Sequence, residues 1–139
     1  MRINKLFVLI LLSFAISLSL LGCSSHDPEQ KQINAEYSLA TLYGDVALIH
    51  HLSDGGDEII VCKDFIAYAT LKDNLFLCEK TSTNTHLFWI YNLSDGSNHC
   101  YESYDALAGE VEQAADLMWD ALWVEPFNIQ TETGDILVG

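Results

Sequence analysis

"HLFWIYNL", His86–Leu93, is the stretch on which the fold turns. In an extended chain successive side chains alternate, so Leu87, Trp89, Tyr91 and Leu93 share one face and Phe88, Ile90 and Asn92 the other. Both faces are largely apolar, which predicts a central strand covered on both sides. Upstream, "VALIHHL", "EIIVCKDFIAYATL" and "LFLCEK" are divided by "SDGGD", "KDN" and "TSTNT"; downstream come "SDGSN" and "HCYES". Apolar and aromatic runs separated by short Gly, Asn, Asp, Ser and Thr breaks read as hairpins. They predict an antiparallel β-meander of about 4–5 strands. "LSDG" occurs at Leu52–Gly55 and again at Leu93–Gly96. The flanks diverge, so the pair reads as two solutions to one turn problem rather than an internal repeat.

The cover for one face is sought in "SYDALAGEVEQAADLMWDALW", Ser103–Trp123. Leu107, Val111, Ala114, Met118, Ala121 and Leu122 fall on one side at helical spacing, with Ser103 or Asp105 available as a cap. The alanine content supports a helix over Tyr104–Trp123, packed on the sheet and limited by Pro126. Residues Ala35–Leu52 leave helix and strand open: Leu39, Leu42, Val46 and Ile49 suit the first, Val46, Leu48, His50 and Leu52 the second. The expected class is α+β under either choice.

The chain begins "MRINK" and continues into "LFVLILLSFAISLSLL", an apolar run closing at Leu21. A basic start, a short apolar middle and a small residue describe a secretory signal peptide. The run, Leu6–Leu21, would reach about 24 Å as a helix, short of a hydrocarbon core of about 30 Å. Leu20-Leu21-Gly22-Cys23 resembles the lipobox of bacterial lipoproteins. That resemblance implies cleavage between Gly22 and Cys23, diacylglycerol in thioether linkage on Cys23, and an N-acyl chain on the new amino terminus. No other cofactor is expected. Two or more acyl chains make a stable anchor at about 0.8 kcal/mol per buried methylene. Ser24 stands where an aspartate often signals inner-membrane retention in that family, so a Gram-negative host implies an outer-membrane protein facing the periplasm. The expected organisation is a signal peptide over 1–22, a lipidated tether over 23–34 ("SSHDPEQKQIN" has no apolar period), and a small acidic α+β domain over 35–139.

The formal charge is −14. Loss of Arg2 and Lys5 with the signal leaves Lys31, Lys63, Lys72 and Lys80 as the cations facing 20 acidic residues. That balance argues against nucleic acid and anionic surfaces, where clustered basic side chains supply most of the affinity. It suits a basic protein partner.

With Cys23 lipidated, Cys62, Cys78 and Cys100 remain, enough for one disulfide in an oxidising envelope. Cys62–Cys78 is the pair favoured by proximity in sequence, although a flat meander sets the two apart and the bridge needs a kink near Lys63-Asp64. His50-His51 and His99-Cys100 each place neighbours on opposite faces of a strand, so no metal site is expected from them. Asp54, Asp57 and Glu58 in "SDGGDE" lack the alternate spacing of a calcium loop and read as a solvated turn. No nucleophile elbow, phosphate loop or zinc-protease helix is present, and the expectation is a non-enzyme. The one surface singled out for a partner is the expected C-terminal helix. There Glu112, Asp116 and Asp120 recur at i, i+4 beside Trp119 and Trp123, acids next to residues enriched at binding hot spots. The expected function is a lipid-anchored, non-catalytic protein-binding module of the inhibitor, immunity or exclusion type. The alternatives are a structural accessory of an envelope assembly and, further off, an enzyme or metal carrier.

Overall fold

The computed structural model describes residues 30–123, 127–132 and 134–138. The segment expected to be a signal peptide, with Gly22 and Cys23, and the first part of the expected tether lie outside the described residues. Among those described, the chain is mostly antiparallel sheet with one short helix.

The first sheet runs β1 (Gln30–Gln32), β2 (Tyr37–Leu42), β3 (Asp45–His51) and β4 (Asp57–Lys63), each paired with the next. Gln30–Gln32, expected in the tether, thus pairs with Ser38–Ala40 as an edge strand. The open question over Ala35–Leu52 resolves as a hairpin: β2 and β3 meet through the two-residue turn Tyr43-Gly44, with φ of 53° and 86°. Positive φ at both central positions is the turn that matches the twist of paired strands, and glycine adopts it freely.

The second sheet contains β5 (Phe65–Leu71), β6 (Asn74–Lys80), β7 (His86–Asn92) and β8 (Asn98–Tyr101), in the order β8-β7-β6-β5, with β9 (Asp120–Ala121) added beyond β5. A third, two-stranded sheet joins β10 (Phe127–Ile129) to β11 (Ile136–Val138). The second sheet is the middle layer. Trp89, Tyr91 and Leu93 of the deciding stretch pack with Leu39, Val46, Leu48, Phe65, Leu75 and Leu77, against the first sheet. Phe88 and Ile90 point the other way, into Ala67, Phe76, Cys78, Tyr104, Leu107, Ile129 and Val138. The alternation in the sequence therefore corresponds to two cores. Both "LSDG" copies form loops in which the glycine takes positive φ, 89° at Gly55 and 77° at Gly96.

The expected helix is largely absent. Helix α1 spans only Tyr104–Glu110, capped by Ser103, whose Oγ accepts from the Ala106 N–H at 3.0 Å. A 3-10 turn, Ala114–Asp116, follows, and then the chain extends. Three physical reasons oppose continuation. Gly109 costs a helix about 1 kcal/mol relative to alanine. No lysine offsets the i, i+4 acids. Above all, β5 has an open edge, and pairing Ala121 with Ala67 and Asp120 with Tyr68 satisfies it only if the chain is extended. Met118, expected in the core, is 84% exposed.

The expected Cys62–Cys78 bridge is not made: Cys62, Cys78 and Cys100 are free thiols. Cys62 is exposed on the first sheet opposite Ala47, Cys78 is buried on the helix side of the middle sheet, and Cys100 stands opposite Trp89 on its other side. Three cysteines on three different surfaces cannot come within bridging distance. Burial, with Glu79 adding, pushes the Cys78 thiol up to about 12, so it is inert.

Candidate interaction surface

Strand β4, "DEIIVCK", ends the first sheet, and among the described residues no strand neighbours its outward edge. Its first four residues are exposed, Ile59 by 54% and Ile60 by 42%. Leu48 opposes Val61 and Ile49 opposes Ile59, so Ile60 is the extra residue of a β-bulge. The hairpin loop before β4 is self-contained: Leu52 N–H donates to Gly56 O at 2.8 Å and Gly56 N–H to Asp54 Oδ1 at 2.8 Å. The strip from Leu52 to Ile60 therefore combines exposed apolar side chains with Asp54, Asp57 and Glu58.

Two histidines buttress it from opposite faces, as adjacent strand residues must. His50 stacks on Tyr37, ring centroids 4.5 Å apart, with Nδ1 3.7 Å from Glu58. On the other face Gln30 Nε2 donates to Ser38 Oγ at 3.1 Å, Ser38 lies 2.8 Å from His51 Nε2, and His51 Nδ1 lies 2.7 Å from Asp57. With a His51 ring proton on Nδ1 directed at Asp57, Nε2 is left to accept from the Ser38 hydroxyl, which itself accepts from Gln30. Asp54, Asp57 and Glu58 thus each meet a neighbour, a turn N–H or an imidazole, while the Asp57 and Glu58 side chains stay largely exposed. Among the described residues no group of three or more His, Cys, Asp or Glu gathers at metal-binding distances.

The order Ser38, His51, Asp57 reproduces the hydrogen-bond sequence of a serine nucleophile, its base and the orienting carboxylate. Its setting does not. Ser38 is 0% exposed near the start of a strand paired on both sides, and its hydroxyl already accepts from Gln30. A nucleophile needs an approach path for a carbonyl, and this hydroxyl has none. The relay instead ties β1, β2, β3 and β4 together. Ser38→Ala is expected to lower stability by about 1–3 kcal/mol by leaving its partners unmatched, measured by denaturant unfolding. Ser38 is expected to stay unlabelled by a fluorophosphonate; labelling there would overturn the structural role.

The partner surface expected from the sequence does not assemble. Glu112, Asp116 and Asp120 are exposed, but not along a helix. Trp119 packs edge-on against Phe88 and Tyr104, with centroids at 6.1 and 6.5 Å, on the helix side of the middle sheet. Trp123 packs into the opposite core and its Nε1 donates to the Phe65 carbonyl at 3.0 Å. The two indoles serve different cores. His99 is exposed and tilts on Tyr101 at 4.6 Å, away from His50 and His51 in the other sheet. The β4 surface was hidden in the sequence because "EIIVC" reads as core; the signal for its exposure was the run of acids leading into it.

No protein-family model, curated protein or solved structure matches this chain. The functional reading rests on the chain's own chemistry.

Proposed function

We propose that this chain is a lipid-anchored cell-envelope protein whose acidic domain is a non-catalytic protein-binding module, and that β4 is where it binds. The signal-like start and Leu20-Leu21-Gly22-Cys23 support the anchor. The observation that carries the binding role is the exposed edge of β4, with Ile59 and Ile60 bare beside Asp57 and Glu58. A strand added to such an edge gains main-chain hydrogen bonds, while alternate side chains give specificity. The acids select a basic segment, and the bulge at Ile60 discourages indiscriminate pairing with flat strands. Such capture would suit a protein of the inhibitor, immunity or exclusion type.

The anchor is tested by the intact mass of the protein taken from membranes, alkylated in denaturant without reductant. The expected spectrum is a chain beginning at Cys23, carrying lipid, with three alkylated thiols at Cys62, Cys78 and Cys100. An uncut chain with an unmodified Cys23 would overturn the anchor. The surface is tested by a photo-crosslinking residue placed at Ile60. Crosslinks to a basic protein, lost on Ile59→Lys and weakened by salt, are expected; crosslinks indifferent to both would overturn the β4 assignment.

A further inference from the structure

A cavity of about 420 Å³ lies where the Tyr43-Gly44 turn and Asp64, just after β4, approach the ends of β5, β6 and β7. That is within the range of small-molecule sites, about 300–1,000 Å³. Ile66, Trp123 and Phe127 supply apolar walls; Asp64, Lys80 and His86 supply the polar ones. Trp123 presents apolar ring to the space, since its N–H is committed to Phe65. Phe127 is held edge-on by His86, centroids 5.6 Å apart.

The polar groups are arranged unusually for so acidic a chain. The Lys80 N–H donates to the Asp64 carbonyl at 2.9 Å, which holds the two residues side by side. Yet their side chains form no ion pair, whereas Lys63 reaches Glu79 at 3.9 Å. Burial first, and then Lys80, lowers the His86 pKa below its ordinary value, so the imidazole remains neutral and adds no third charge. Among the described residues, one cation and one anion border this part-polar, part-apolar cavity without neutralising each other.

From this arrangement we infer that the cavity binds a compact zwitterion with an apolar body, the chemistry of a free α-amino acid with a large side chain. Its carboxylate meets Lys80, its ammonium meets Asp64, and its side chain lies against Ile66, Trp123 and Phe127. A lone anion would leave Asp64 unmatched and enter against the field of the chain's acids. A lone cation would leave Lys80 unmatched. Only a ligand carrying both charges on neighbouring atoms satisfies both walls.

The test titrates the full chain, purified in detergent, with L-phenylalanine, hydrocinnamate and phenethylamine, following the amide resonances of Gly44, Ile66, Lys80 and His86. L-Phenylalanine is expected to shift these resonances, and each single-charge analogue to bind about tenfold more weakly, the value of one charge-assisted contact. Lys80→Gln and Asp64→Asn, both at exposed positions, are each expected to lose about tenfold while the remaining spectrum is unchanged. Absence of shifts at about 10 mM ligand, equal binding of either analogue, wild-type affinity in both variants, or shifts confined to other residues would each overturn the assignment. Ile59→Lys is expected to leave this titration unaltered, which separates the cavity from the β4 surface.

Discussion

Phe76→Ala and Leu77→Ala are both expected to be severely destabilising, by about 3–5 and about 2–5 kcal/mol respectively. The two residues are neighbours on β6, 1% and 0% exposed, and they enter different cores. In a sheet with one wet face, one member of any adjacent pair is expendable. Here neither is, because the middle sheet is covered by the first sheet on one side and by α1, Trp119 and the β10–β11 hairpin on the other. Small domains have about 5–15 kcal/mol of stability in total, so either change consumes much of it. Ile59→Ala, on the exposed edge, is expected to cost under about 1 kcal/mol. Urea unfolding of the three variants reads this directly. A small loss for either core variant would mean that the sheet has a solvent face, and the three-layer arrangement would be wrong.

That two-sided burial was legible in the sequence, and the reason is physical. A strand's side chains alternate with a fixed period of two, so a run apolar at every position buries both of its faces only when it lies between layers. The division of Trp89, Tyr91 and Leu93 from Phe88 and Ile90 follows from this period alone. The opposite faces of His50 and His51 follow the same way, one meeting Glu58 and the other Asp57. The turns were legible too, because Gly55 and Gly96 take a backbone conformation that other residues adopt at a cost.

What was not legible depended on partners distant in sequence. Leu39, Leu42, Val46 and Ile49 fit a helix while Val46, Leu48, His50 and Leu52 fit a strand, and only the pairing of Leu39 with Leu48 selects the strand. The Ser38–His51–Asp57 relay was invisible for the same reason, since it exists only once β2, β3 and β4 lie side by side. Exposure of Ile59 and Ile60 was equally hidden. Their apolar character is a property of the sequence, whereas their place at the end of a sheet is a property of strand order. The cysteines show the limit in another way: closeness in sequence put Cys62 with Cys78, and the separation of the two sheets keeps them apart.

Trp119→Ala and Trp123→Ala are expected to lower stability by about 3 kcal/mol each, the lower end of the range for large aromatic truncations because both rings are half-buried. On an exposed helical stripe both changes would be nearly neutral to folding and would act only on a partner. The folded positions give the opposite result and also distinguish the two residues. Trp123→Phe keeps most of the ring but removes the N–H from the Phe65 carbonyl, an acceptor on a fully buried residue, and is expected to cost about 1–3 kcal/mol. The Trp119 N–H is buried without a partner at hydrogen-bonding geometry, although it lies near enough to Tyr104 to temper the burial-driven rise of that phenol's pKa. Trp119→Phe is therefore expected to cost less than Trp123→Phe. Asp116→Lys, on an exposed turn, is expected to stay within about 0.5 kcal/mol of the parent. Chemical denaturation of these five variants tests the placement of the segment after α1. Near-neutral tryptophan truncations would restore the helical stripe. Large losses with the Trp123→Phe penalty exceeding that of Trp119→Phe would fix the two indoles in separate cores rather than on one shared stripe.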